Sequence, residues 1–97
     1  MKVTNINGTS EYSCSCGSWL KHWENFNKTG QKSPNICPAC NSSYVEVGAH
    51  VQIYGSPDKS WYIVPLCKKC NNKSSYEVLD IGNCPLAPAN KSTTCGR

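Results

Sequence analysis

The sequence has few of the large apolar residues from which a small domain builds its core. Its 97 residues include one Phe, one Met and four Leu, and no apolar run approaches the length of a membrane span. The first ten residues lack the apolar segment of a secretory signal, so we expect a cytoplasmic protein with no membrane partner. At this length a single domain over residues 1–97 is expected, and so thin a core needs disulfides, a metal or an oligomer interface.

Cysteine, in contrast, is abundant, and its spacing favours a metal. The eight cysteines are Cys14, Cys16, Cys37, Cys40, Cys67, Cys70, Cys84 and Cys95. The pairs Cys37/Cys40 and Cys67/Cys70 each have C-x-x-C spacing, which lets a short loop direct two sulfurs at one cation. A disulfide framework instead prefers scattered cysteines that close long loops, and cytosolic thiols stay reduced. The two pairs therefore predict one structural zinc ion.

The remaining four cysteines predict a second zinc ion. These residues are Cys14, Cys16, Cys84 and Cys95. Because they flank the first set on both sides, a site built from them would tie both ends of the chain to the core. His22 or His50 could take the place of Cys84, which would give a site of three cysteines and one histidine. The alternative is that these residues are free or packed thiols. A site with four protein ligands has no open position, so both ions are expected to be structural.

Hydrophobic periodicity predicts an α+β fold with few elements. Trp19, Leu20, Trp23 and Phe26 recur at helical spacing, with Ser18 as N-cap. The expected elements in chain order are a loose or edge-strand segment over 1–12, a helix over about 18–27, strands within 44–54 and 61–66, a helix over 67–79, and an irregular tail over 82–97 that folds back on the domain. Gly48 interrupts the first strand of the hairpin and predicts a bulge or bend there.

The order of these features over residues 36–79 resembles a treble-clef zinc finger. In that family a cysteine knuckle is followed by a hairpin, and a second cysteine pair opens a helix. The positive end of that helix would favour the thiolate charge of Cys67 and Cys70. The resemblance implies a small metal-stapled domain to which the helix over 18–27 has been added.

Residues 48–51 (Gly-Ala-His-Val) and 63–71 (Ile-Val-Pro-Leu-Cys-Lys-Lys-Cys-Asn) are also similar to the zinc-stabilised H-N-H endonuclease family. In that family a strand histidine acts as general base, and His50 matches it by position. Ala49 and Asn71 stand where the family has ligands of its catalytic metal ion, and neither side chain replaces them. The resemblance therefore implies a degenerate active site.

Three functions remain open from the sequence. The first is a binding module whose leading partner is nucleic acid, contacted by Lys68, Lys69, Asn71 and Lys73. The second is a metal-dependent nuclease that uses His50, and the third is a small regulator that binds another protein. The net charge of +4 is mild and the lysines could equally form a solvated face. The sequence does not indicate an oligomeric state.

Overall fold

The computed structural model describes residues 1–6 and 18–89. In this part of the chain five strands and two helices form an α+β fold, which confirms the predicted class. The elements are β1 (Lys2–Asn5), α1 (Trp19–Phe26), β2 (Val47–Ile53), β3 (Tyr62–Leu66), α2 (Lys68–Asn71), β4 (Val78–Asp80) and β5 (Ala87–Pro88).

The strands form one antiparallel sheet in the order β4-β1-β2-β3-β5. The strand β1 therefore lies inside the sheet, between β4 and β2, and the expectation of a loose or edge segment at its position is wrong. The hairpin β2–β3 is regular from the pair Val47 and Leu66 to the pair Val51 and Tyr62. Gly48 pairs with Pro65 within this regular register, so the predicted bulge is wrong as well.

The two faces of the sheet carry different layers, because successive side chains of a strand point to opposite sides. One face, which we call the cysteine face, carries Ala49, Val51, Val64 and Leu66, and these pack with buried cysteines. The opposite face, the helix face, carries Gly48, His50 and Ile63 and is covered by α1. The sheet thus separates the cysteines of the two C-x-x-C pairs from the aromatic residues of α1.

Helix α1 begins after Ser18, whose side-chain oxygen accepts a hydrogen bond from the backbone N–H of Lys21 at 3.0 Å. The helix anchors on Trp23, which is fully buried against Ile63 and Ala87. Since Trp23 comes from α1 and its two neighbours from β3 and β5, one side chain joins three elements. This contact forms the core of the helix face.

Helix α2 is much shorter than predicted. It spans only Lys68–Asn71, and the chain from Val78 to Asp80 forms strand β4, so a helix over 67–79 is wrong. The polar residues after Asn71 explain the difference, because their side chains compete with helical hydrogen bonding. Ser74, for example, accepts from the N–H of Tyr76 through its hydroxyl and from the N–H of Glu77 through its carbonyl. Leu79 is then buried on the sheet.

The tail lies against α1 and β3 as far as Ala89. The indole Nε1 of Trp23 donates to the carbonyl of Pro85 at 2.9 Å, and the N–H of Ala89 donates to the carbonyl of Trp61 at 3.0 Å. Because Ala87 also pairs with Ile63, this stretch forms the short strand β5. The last part of the predicted tail, residues 90–97, lies outside the described residues.

Candidate metal centre

The two C-x-x-C pairs come together on the cysteine face. The four Sγ atoms of Cys37, Cys40, Cys67 and Cys70 all lie within 4.8 Å of one another, and those of Cys40 and Cys67 are 3.9 Å apart. Four sulfurs bound tetrahedrally to Zn²⁺ at about 2.3 Å would be separated by about 3.8 Å. Three of the thiols are fully buried and Cys40 is half-buried. The two pairs are separated by 27 positions, from Cys40 to Cys67, and the fold brings them together in a cluster that could hold one metal ion.

A tight loop presents the first pair. The N–H of Cys37 donates to the carbonyl of Ser43 at 2.8 Å, and the N–H of Asn41 donates to the carbonyl of Cys37 at 2.8 Å. Asn41 has a φ of 59°, the left-handed conformation that asparagine tolerates better than most residues. Hydrogen bonds from the Ser42 side chain and from the N–H groups of Ser42 and Ser43 lower the pKa of Cys40 to about 5. This loop therefore directs hydrogen-bond donors at the sulfur of Cys40, and these favour its thiolate form.

The second pair is presented by α2. Cys67 is the N-cap of this helix, and its Sγ accepts a hydrogen bond from the N–H of Cys70 at 3.4 Å. Burial is the main cause that raises the pKa of Cys70, and the neighbouring thiols of Cys67, Cys37 and Cys40 add to it. The pKa is thus lowered at Cys40 and raised at Cys70. A buried cluster of this kind cannot hold four thiolates without a cation to offset their charge.

The chemistry of the donor set fits a thiophilic ion. Tetrahedral sites with four sulfur ligands are typical of Zn²⁺ or iron, whereas hard ions such as Mg²⁺ and Ca²⁺ select oxygen ligands. All four positions would be taken by protein sulfurs, which is the arrangement of a structural rather than a catalytic site. A metal here would bridge the loop before β2 to the turn after β3.

Two residues without a predicted role contact the turn that carries the second pair. The carboxylate Oε1 of Glu46 accepts from the N–H of Lys68 at 2.9 Å, and the amide of Asn5 donates to the carbonyl of Cys70 at 2.8 Å. Neither contact has a local signal in the sequence. Asn5, in β1, lies 65 positions from Cys70 in the sequence, and only the sheet brings the two residues together.

Of the predicted second site, only Cys84 lies among the described residues, because Cys14, Cys16 and Cys95 fall outside them. Cys84 is half-buried and packs against the residues of both faces. Its pKa is raised to about 11, first by burial and then by the nearby Cys37. Within residues 1–6 and 18–89 the cluster of Cys37, Cys40, Cys67 and Cys70 is the one group of side chains that could hold a metal ion.

The two histidines lie on the helix face, on the other side of the sheet from the cysteine cluster. His50 is 5% exposed, with its ring centroid 4.5 Å from that of Trp19 and 6.0 Å from that of Trp61. Burial, followed by the proximity of His22, lowers the pKa of His50 to about 4. His22 is fully buried and its Nε2 lies 2.7 Å from the carbonyl oxygen of Pro88. Both imidazoles are thus packed between α1 and the sheet.

The basic residues predicted to contact nucleic acid lie at and after α2. Lys68 and Lys69 are exposed on the outer side of the turn that presents the second cysteine pair, while Asn71 and Lys73 are half-buried. The backbone carbonyl of Lys73 accepts a hydrogen bond from the side chain of Asn5, and this bond ties the segment after α2 to β1.

Comparison with known proteins adds no relative to this description: no protein-family model, curated protein or solved structure matches the chain. Among the helices of the described residues, none is long and apolar enough to span a membrane.

Proposed function

We propose that this chain is a zinc-stabilised binding module in which Cys37, Cys40, Cys67 and Cys70 hold one structural Zn²⁺. The observation that carries the proposal is the convergence of the four Sγ atoms within 4.8 Å. The order of the parts supports a treble-clef arrangement, since the first pair precedes the β2–β3 hairpin and the second pair opens α2. Zinc binding by reduced thiolates suits the cytoplasm, which is the compartment we propose.

Metal content and ligand identity can be tested on the full chain. We expect protein purified without added zinc to contain Zn²⁺, and Co²⁺ substitution to give the visible bands of a tetrahedral thiolate site. The variant Cys70→Ser should lose this ion and its share of the bands. Ser75→Ala is the control, because Ser75 is exposed and lies outside the four close sulfurs. A wild-type protein without metal, or an unchanged Co²⁺ spectrum in Cys70→Ser, would contradict the proposal.

We also propose a second Zn²⁺ bound by Cys14, Cys16, Cys84 and Cys95. Support comes from the number of cysteines and from the position of Cys84, which is half-buried at the junction of both core clusters. Native mass spectrometry separates the two cases. Two ions per chain in the wild type and one in Cys14→Ser support the second site, whereas one ion in both contradicts it.

Nucleic acid is the partner that we propose for the α2 turn. Lys68 and Lys69 are exposed side by side there, and no ion pair of their side chains occurs within the described part of the chain. We expect the double variant Lys68→Glu/Lys69→Glu to weaken binding of a single-stranded oligonucleotide and to reduce its salt dependence. Lys28→Glu/Lys32→Glu is the control, because it makes the same charge change at two exposed lysines after α1.

The two alternative functions, a nuclease and a protein-binding regulator, are tested by DNA cleavage and by the salt dependence of binding. The position of His50 does not favour a nuclease, because a general base must reach a water and the scissile phosphate, and this imidazole is packed between Trp19 and Trp61. Cleavage of DNA that is abolished in His50→Ala would nevertheless establish that activity. A partner captured without salt dependence would favour the protein-binding regulator, since phosphate contacts weaken steeply with salt.

A further inference from the structure

We infer that Asn5 is a positioning residue of the metal site, which holds the turn carrying Cys67 and Cys70 in the geometry that binds the cation. This inference rests on the proposed metal binding. Asn5 ends strand β1 and is 3% exposed. Its Nδ2 donates to the carbonyl of Cys70 at 2.8 Å and to the carbonyl of Lys73 at 3.0 Å. One amide thus spans the C-terminal end of α2.

The hydrogen bonds fix the orientation of this amide. Both groups facing Nδ2 are carbonyl oxygens, so a flipped amide would place its own oxygen against two acceptors. In the observed orientation Oδ1 is buried and has no hydrogen-bond partner among the described residues. Burying an amide oxygen in this way has a cost, and Val3 shows that the same face of β1 accepts an apolar residue. The two donor bonds are therefore the reason for an asparagine at this position.

A helix of one turn needs such support. Helix α2 spans four residues, and the last carbonyls of a helix have no partner within it. At the other end of the turn, Oε1 of Glu46 accepts from the N–H of Lys68. Both ends of α2 are consequently tied to the sheet, one by a residue of β1 and the other by the residue that precedes β2. Partners of this kind orient ligands in advance, and their loss typically weakens metal binding tenfold to a hundredfold, roughly.

A second buried asparagine offers a matched control. Asn27 is 6% exposed, and its Nδ2 donates to the carbonyls of Trp23 and Gln31 at 2.8 and 2.9 Å. It therefore also donates to two backbone carbonyls, after α1 and without contact to a cysteine. Asn27→Leu removes these bonds and, in addition, those that its Oδ1 accepts from Thr29 and Gln31, so the control is the more disruptive of the two changes.

The experiment measures zinc release from the zinc-loaded full chain to a chromogenic chelator, together with the Zn²⁺ dissociation constant by chelator competition. We expect Asn5→Leu to raise the release rate and the dissociation constant roughly tenfold to a hundredfold. Asn27→Leu should change both by less than about threefold, even though it lowers the melting temperature. If Asn5→Leu does not fold, Asn5→Ser keeps one short donor and should give an intermediate release rate.

The outcomes distinguish this inference from the function on which it rests. Release from Asn5→Leu or Asn5→Ser at the wild-type rate, or equal acceleration in Asn27→Leu, would overturn the role of Asn5 and leave the zinc site intact. A wild-type chain that binds no zinc would instead overturn the proposed function before any variant is compared.

Discussion

Gly48 of β2 lies directly against the backbone of Trp19, where α1 begins. A Cβ atom added at Gly48 would lie 2.4 Å from the carbonyl carbon of Trp19 and 2.5 Å from the nitrogen of Leu20. Backbone atoms cannot move aside as a side chain does, so the helix itself would have to shift. The glycine thus lets α1 approach the sheet closely enough for Trp23 to reach the core.

We therefore expect Gly48→Ala to lower the free energy of unfolding by more than about 3 kcal/mol, at the upper end of overpacking costs. Gly55→Ala is the control, because a Cβ there meets nothing within 4 Å and only the positive φ of 76° is unfavourable. That change should cost about 1 kcal/mol. Chemical denaturation of both variants measures the difference, and an equal loss at the two sites would show that α1 does not depend on this contact.

Trp23 is expected to be the most sensitive tryptophan. Trp23→Phe removes the hydrogen bond to the carbonyl of Pro85 and leaves a cavity between α1, β3 and β5. An unpaired carbonyl together with lost packing should cost about 2 kcal/mol or more. Trp61→Phe is the comparison, because Trp61 is 37% exposed and should lose less than about 1 kcal/mol. Thermal unfolding followed by circular dichroism would rank the two variants, and a reversed ranking would contradict the assignment of this core.

The sequence predicts features whose residues lie close together along the chain, and it does not predict contacts between distant segments. The spacing of Cys37 to Cys40 and of Cys67 to Cys70 is a local signal for a metal pair, and the structure confirms that the four sulfurs meet. The helical spacing from Trp19 to Phe26 is equally local, and α1 lies within the range given by it.

Contacts between distant segments had no such signal. β1 is an interior strand because β4 pairs with its second edge. The polar N-terminal sequence contains no signal for this pairing. The sequence overestimates the length of α2, because the apolar residues Val78 and Leu79 fit either a helix or a strand, and it is pairing with β1 that makes them strand β4. Gly48 within a strand pattern predicts a bulge or bend, whereas in the structure the glycine is needed for the close approach of α1. In each case the deciding contact comes from another part of the chain.

The burial of His50 predicts a pH dependence of stability. In the folded protein its pKa is lowered to about 4, whereas in the unfolded chain it returns to its ordinary value of 6.5. Between these values the unfolded state binds more protons, so the free energy of unfolding rises with pH. The contribution of His50 is complete above pH 6.5 and is lost as the pH falls from 6.5 towards 4. By pH 5 the loss should be on the order of 2 kcal/mol, since one pKa unit corresponds to about 1.4 kcal/mol.

This dependence is measured by urea denaturation of the wild type and of His50→Gln at pH 5 and pH 7.5. Acid also protonates zinc ligands, but that effect is common to both proteins and cancels in the comparison. We expect the variant to lose less stability than the wild type on acidification. Identical losses would show that the imidazole is not held neutral by the packing of Trp19 and His22.

The separation of the two faces by the sheet predicts the order in which structure is lost when the proposed metal ion is removed. The cysteine face contains Cys37, Cys67 and Cys70 in its core, and without a cation these buried sulfurs have no charge partner. Zinc binding to such sites contributes on the order of 10 kcal/mol to folding. The helix face rests instead on Trp23, Ile63 and Ala87, which do not ligate metal.

A strong chelator should therefore reduce hydrogen-exchange protection first at α2 and at the N–H of Asn41, which bonds to the carbonyl of Cys37. The amides of α1 should lose protection later, and re-addition of Zn²⁺ should restore both. Simultaneous loss at α1 and α2 would mean that the metal stabilises the whole fold as one cooperative unit. An unchanged exchange pattern would mean that no ion is held by the cysteine cluster.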